Sequence, residues 1–417
     1  MAGIQIIMNS SQGAWSRSSN SLNVPIVKFP SRRRVPSLLR PRLLAAFLCA
    51  FLVGGVGPAA AESDIPFLGV FTHTEADKPL ADQRKQIETV LEANPLLKGV
   101  SIKFGWRLIN PQKEVFEMDD LQGLIRSIDS RKKLVNFHMF PGGDHTPGWI
   151  YEAGVRRFHV KDAPVKATPE AKTNPATTPV PWDETYMRSW ETCLKRVAPV
   201  INAESSLYAV GIYGHNYKGG EMHMPKGKAD MEEWKNLGWS EEVVLDNWKH
   251  WIDCYAALFP RKKLILVISN LYGSATSSLT GKIADYAAAK YPDRIILQNM
   301  QLHGRYDYLK SQDSQAGAQV RYRGRIPSSW ETVGSYYEQP LRQGSVEMMM
   351  FNAFKASPHF IQLWNRDSSN PEFTRRILEV YDEFKGQSPD EIKSRLVKEG
   401  KYHDRNTPES MKDGKYL

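Results

Sequence analysis

The sequence predicts an α/β protein: a closed (β/α)8 TIM barrel in a single domain, with a long loop insertion after the third strand. Eight short apolar runs alternate with amphipathic segments of helical spacing, the pattern of a parallel sheet covered by helices. No glycine-rich phosphate fingerprint follows the first run, which disfavours an open nucleotide-binding sheet. The 417 residues suit one decorated barrel, since a barrel takes about 250 residues and loop insertions stretch it towards 400.

The first strand is expected over Pro66 to Phe71, followed by a helix from Asp82 to Ala93. Gly99 to Phe104 is the second run, with a helix over Asp119 to Ser130, and Lys133 to Met139 is the third. The insertion then runs to Pro181, kept irregular by Pro164, Pro169, Pro175 and Pro179. Tyr186, Trp190, Leu194 and Val197 recur at helical spacing within Asp183 to Val200, ahead of the fourth strand, Leu207 to Tyr213. A helix from Glu241 to Leu258 leads to the fifth, Leu264 to Ile268, and one from Gly281 to Lys290 leads to the sixth, Ile295 to Leu297. The seventh is expected at Thr332 to Tyr337. A helix from Gly344 to Ala356, in which Met348, Met349 and Met350 are packing residues, precedes the eighth, Phe360 to Trp364. A helix over Pro371 to Phe384 completes the barrel, giving a catalytic domain over 62–386 and a solvated helix and tail over 387–417.

Residues 1–61 read as a targeting segment. Seven basic residues and no acidic one fall there, and the basic stretch ends at Arg42. The apolar run Leu43 to Val53 follows, then Ala59-Ala60-Ala61, which fits signal cleavage before Glu62. The apolar core is short for a span of about 20 residues. An uncleaved anchor, an organellar transit peptide and a twin-arginine signal at Ser31-Arg32-Arg33 stay open, as does a start at Met8. A secreted or periplasmic location follows, with no stable membrane anchor after cleavage. The formal charge is +9; without the seven leader charges it is about +2, so the body implies no nucleic-acid partner. Cys49 leaves with the leader, and Cys193 and Cys254 either pair or stay free.

Barrel active sites form at the C-terminal ends of the strands. In order, the rim holds His73; Lys103 to Trp106; His138 and Phe140, with Asp144, His145 and Trp149; then His215, Asn216, Glu221 and His223. Asn270 and Tyr272 follow the fifth strand, and Gln298, Asn299, Gln301 and His303 the sixth. Glu338 and Gln339 close the seventh, and Trp364, Asn365 and Asp367 the eighth. Aromatic faces stack on sugar rings, and amides and imidazoles bond hydroxyls, so the mix suits a neutral oligo- or polysaccharide. His138, Asp144, Trp149, His215, Asn216, His223, Asn270, Gln298 and Trp364 are the candidate substrate ligands. Glycosidic cleavage needs one carboxylic acid and a second carboxylate, and strands four and seven face one another across a barrel. Glu221 and Glu338 are therefore the expected catalytic pair, with no cofactor and no metal.

Several stretches resemble clan A glycoside hydrolases, over nearly all of residues 65–385. Gly99-Val100 to Trp106 with Asn110-Pro111-Gln112 is similar to beta-galactosidase-like members. So are His138-Met139-Phe140-Pro141-Gly142-Gly143, Pro147-Gly148-Trp149 and Pro181-Trp182-Asp183. Gly214 to Gly219-Gly220-Glu221-Met222-His223 resembles a Gly-Glu-x-His turn after strand four of related barrels. The resemblance implies Glu221 as acid/base and Glu338 as nucleophile of a retaining glycosidase. One departure stands out: the usual Asn-Glu pair ending strand four is absent, because four residues separate Asn216 from Glu221.

Two other functions compete. A non-catalytic carbohydrate-binding barrel fits the displaced Glu221, and a metal-dependent hydrolase would use His138, His145, His215 and His223. No tight ligand motif joins those histidines.

Overall fold

Strands buried on both faces carry continuous β-branched and aromatic runs, and such runs form the walls of this molecule. The structure, a computed structural model, describes residues 65–161, 177–217, 220–225, 227–268, 276–309 and 317–405. The expected leader, Asn270 and Tyr272 lie outside the described residues.

Strand β1 (Gly69–His73) leads to α1 (Leu80–Ala93), and β2 (Gly99–Gly105) to α2 (Asp119–Asp129). After β3 (Leu134–Phe140) comes the insertion, with α3 (Trp149–Glu152), β4 (Arg157–His159) and β5 (Thr177–Pro179). Helix α4 (Glu184–Ala203) returns to β6 (Leu207–Gly211), and α5 (Lys228–Asn236) and α6 (Glu241–Leu258) precede β7 (Lys263–Val267). Helix α7 (Thr276–Lys290) leads to β8 (Ile295–Leu302), and α8 (Gly317–Arg321) to β9 (Ser328–Thr332). Then follow α9 (Pro340–Gln343), α10 (Val346–Phe354), β10 (Pro358–Leu363), α11 (Asn365–Ser368), α12 (Pro371–Phe384) and α13 (Pro389–Lys398).

Eight strands close in the order β1-β10-β9-β8-β7-β6-β3-β2, every neighbouring pair parallel. The fold is thus the (β/α)8 barrel expected. Phe71, Phe360, Ile265, Ile296 and Ala209 fill its interior, and Trp106, Trp190, Trp248 and Trp251 pack between sheet and helices. Helix starts are fixed by side-chain caps: Asp183 accepts from the Thr185 and Tyr186 N–H groups, Ser240 from Val243, and Ser388 forms a capping box with Glu391.

Three expectations are corrected. The seventh barrel strand is β9, Ser328–Thr332, ending where the expected run began. The insertion is not wholly irregular, since β4 and β5 pair as an antiparallel ribbon. The C-terminal helix is not merely solvated: Ile392 and Leu396 of α13 are buried in the main core. Cys193 and Cys254 are free thiols.

Candidate active site

Inward-facing residues alternate along each strand, so those two apart share the lumen. Above the apolar filling lies a polar layer: His73 on β1, Lys103 on β2, His138 on β3, Gln298 on β8, Glu331 on β9 and Gln362 on β10, all buried. Its centre is an ion pair between Lys103 Nζ and Glu331 Oε2 at 2.6 Å. Strands β1 and β10 separate β2 from β9 in the sheet, so this bond crosses the lumen. Gln362 Nε2 donates to the same oxygen. The other oxygen, Oε1, faces His73 Nε2 at 3.7 Å. Glu331 therefore has one oxygen saturated and one without a close hydrogen bond.

The layer is neutral apart from that pair. Burial first, then the Lys103 charge, pushes the His73 pKa down to about 4, against a smaller upward pull from Glu331. Burial and Lys103 also hold His138 well below the usual histidine range. His138 Nδ1 lies 2.6 Å from the Tyr213 hydroxyl. Gly211 makes room for that contact, because a Cβ there would sit 2.6 Å from His138 Nδ1 and 2.6 Å from the Tyr213 ring. Burial raises the Tyr213 hydroxyl well above the ordinary tyrosine value, helped by the charges of Glu331 and Glu221. Nε2 of His138 and both polar atoms of Gln298 are buried without a hydrogen-bond partner.

Glu221 comes from the loop after β6, ten residues past its end. Asn216 scaffolds this loop, its Oδ1 accepting from the Gly214 N–H at 3.1 Å and its Nδ2 donating to the Glu221 carbonyl at 3.0 Å. Gly214, at φ 143°, passes so close to Trp251 that a Cβ would lie 2.4 Å from its indole. The insertion braces the same loop: the Thr178 hydroxyl on β5 donates to the Tyr217 carbonyl at 2.8 Å and accepts from the Gly143 N–H. Glu221 Oε2 pairs with His223 Nε2 at 2.7 Å, while its Oε1 is buried without a partner.

Other expected site residues fall elsewhere. Glu338 lies six residues past β9, its side chain 52% exposed and 3.5 Å from Arg366. It lines an open cleft of about 760 Å³ with Glu75, Gln86, Trp364, Asn365 and Arg366. The strand-seven carboxylate of the polar layer is Glu331, which sequence reasoning passed over. Trp364, 38% exposed, stands edge-on to His73 with ring centres 5.0 Å apart and so links that cleft to the layer. Asp144 is exposed. Trp149 is tied down, donating to the Asn110 carbonyl at 3.0 Å and lying edge-on to Trp106. His215 faces the helices, not the lumen: it stacks on Trp182 and bonds Asn247 at 2.9 Å. His138, His145, His215 and His223 each engage different partners, His145 lying against Asp77 and Phe140. Among the described residues no cluster of three His, Cys, Asp or Glu side chains is placed to hold a metal ion.

Trp330-Glu331-Thr332 carries a strand signal, a short β-prone stretch at a plausible distance from the sixth strand, though not the direction in which Glu331 points.

No protein-family model matches the chain, and no curated protein matches it. Solved structures similar to it include glycoside hydrolases. A beta-galactosidase from the psychrophilic Marinomonas ef1 aligns at TM-score 0.48 and 11% identity, over 78% of this chain and 61% of that one. This chain thus spans about three fifths of that enzyme's length. A glycoside hydrolase family 5 enzyme from Prevotella bryantii, in complex with a xyloglucan tetradecasaccharide, aligns at TM-score 0.45 and 12% identity, over 77% and 98% of the two chains. A xylanase from Thermotoga petrophila in complex with xylobiose aligns at 0.43 and 14%, over 72% and 82%.

Proposed function

We propose that the chain is a glycoside hydrolase that cleaves an oligo- or polysaccharide with retention, using Glu331 as nucleophile and Glu221 as acid/base. The observation that carries this reading is the division of labour within the Glu331 carboxylate. Oε2 is occupied by Lys103 and Gln362, and Oε1 is left for an incoming carbon. Glu221 has the complementary arrangement, with Oε2 on His223 and Oε1 buried and unpartnered, as suits an oxygen that carries a proton to a leaving group.

In the first step Oε1 of Glu331 attacks the anomeric carbon while Glu221 gives its proton to the glycosidic oxygen. The bond to the leaving sugar breaks and a glycosyl ester forms. Water, deprotonated by Glu221, then attacks the same carbon and frees the Glu331 carboxylate. The amide of Gln298 and Nε2 of His138 are matched to sugar hydroxyls, and both are neutral groups. The leader read from the sequence supports a secreted or periplasmic glycan as substrate.

A second reading, sugar binding without turnover, is favoured by the distance of Glu221 from the end of β6. A panel of aryl glycosides separates the two. Turnover by the wild type is expected. Glu221→Gln should keep substantial rate only on leaving groups that need no protonation, and added azide should accelerate it. Saturable sugar binding with no turnover of any activated glycoside would sink the hydrolase reading.

A further inference from the structure

We infer that Lys103 is a positioning residue that holds Oε2 of Glu331 and keeps His73 neutral, and that His73 becomes the cationic partner of Glu331 once the Lys103 charge is removed.

The inference begins with a tautomer. His73 Nδ1 lies 3.0 Å from the Thr74 carbonyl, which can only accept, so Nδ1 carries the hydrogen of the neutral ring. Nε2 then presents a lone pair to Glu331 Oε1 at 3.7 Å, longer than a hydrogen bond. Two acceptors thus face each other, and one proton on Nε2 would turn that contact into a charge-assisted bond. Burial of the ring and, next to it, the neighbouring ammonium keep the proton away. Lys103 is itself held by Thr74, whose hydroxyl donates to the Lys103 carbonyl at 3.0 Å and accepts from its N–H at 2.7 Å.

The charged and titratable groups acting on His73 are few. Lys103 from β2 opposes its protonation; Glu331 from β9 and Glu75 from the loop after β1 favour it. His138 on β3, the nearby imidazole, is held neutral by burial first and by the Lys103 charge next. Trp364 covers one edge. Burial of the ring and the Lys103 charge are the two largest influences, and only the second can be removed without opening the site. Without Lys103, a solvent proton on Nε2 gives Glu331 a new cationic partner on Oε1, the oxygen proposed to react.

The test is NMR titration of the imidazoles in isotope-labelled protein, with His73→Asn assigning the resonance. In Lys103→Gln, which keeps an amide donor for Oε2, His73 should titrate at least about one pH unit above its wild-type position. Lys103→Met should give the same shift, and the Gln variant suffices if the Met variant does not fold. Lys103→Arg should titrate as the wild type does. Adding Glu331→Gln to Lys103→Gln should bring His73 back down. An unchanged His73 titration in the folded Lys103→Gln protein would overturn the inference.

An activity arm rests on the glycosidase reading. In Lys103→Gln, kcat/KM should fall as pH drops through the raised His73 pKa, because the imidazolium then holds the oxygen proposed to react, whereas Lys103→Arg keeps the wild-type pH profile. Glycoside turnover with no change in that profile would count against the inference. A shifted titration without any turnover would leave the inference standing and remove only the glycosidase reading.

Discussion

Glu331 and Glu338 are seven residues apart on one strand–loop unit and meet opposite environments. Glu331 is buried, with Lys103 at 2.6 Å across the barrel and Gln362 beside it. Glu338 is half-exposed, with Arg366 at 3.5 Å on the rim. Breaking a buried pair by removing one partner costs about 3–5 kcal/mol, whereas an exposed pair contributes about 0.2–1 kcal/mol. The contrast teaches that strand register, and not nearness to an aromatic-rich rim, decides which carboxylate enters the lumen. A one-residue slip would point Glu331 outwards, where Trp330 now packs.

The sharpest way to break the contrast is to neutralise each glutamate in turn. Glu331→Gln should lower kcat on an activated glycoside by about 10³-fold or more, with the fold retained by circular dichroism. A rate within tenfold of wild type would remove Glu331 from the chemistry. Lys103→Met, measured at about pH 8 where His73 stays neutral, should destabilise by about 3–5 kcal/mol, read from denaturant midpoints, because it strands a buried carboxylate. A loss under 1 kcal/mol would mean that solvent already reaches the pair.

Acid should act on the buried side of the comparison. His73 and His215 have pKa values pushed down to about 4, while an unfolded chain protonates near 6.5. Their contribution is therefore complete above about 6.5 and is lost as pH falls through the window to about 4, by about 3 kcal/mol each at most. Melting temperatures at pH 7 and pH 4.5 check this, and equal values would contradict it.

Smaller effects belong to the scaffold. Asn247→Ala unpairs His215 and the Trp251 indole N–H, which both use its Oδ1. It should cost about 1–3 kcal/mol while leaving kcat on the same glycoside unchanged. Glu338→Gln is expected to shift stability by less than about 0.5 kcal/mol and leave turnover intact. A large loss there would restore Glu338 to the site.

The barrel itself was legible because eight apolar runs and their amphipathic partners are an extended, redundant signal. Helix α12 spans the expected Pro371 to Phe384, since Asn370 caps it and proline follows at its first turn. Site residues were less legible. Strands covered on both faces lose the period of two, so nothing in Ser328-Ser329-Trp330-Glu331-Thr332 announces which residues turn inward. Pro327 and two serines imitate a turn there, whereas Tyr336 and Tyr337 beyond it are strand-favouring residues. His215 and Trp149 misled for another reason: a residue just past a strand can fold back onto the helices, and only packing partners such as Asn247 and Trp106 reveal it. His138, Gln298 and Trp364 were read at the rim and stand in or beside the polar layer.

Covalent trapping weighs the two glutamates directly. Incubation with a 2-deoxy-2-fluoro glycosyl fluoride should leave a stable ester on the peptide Ile326–Arg342, which carries both carboxylates. Fragment ions that break between them should place the added mass on Glu331. Mass found on Glu338 would contradict the assignment of the nucleophile to the buried layer.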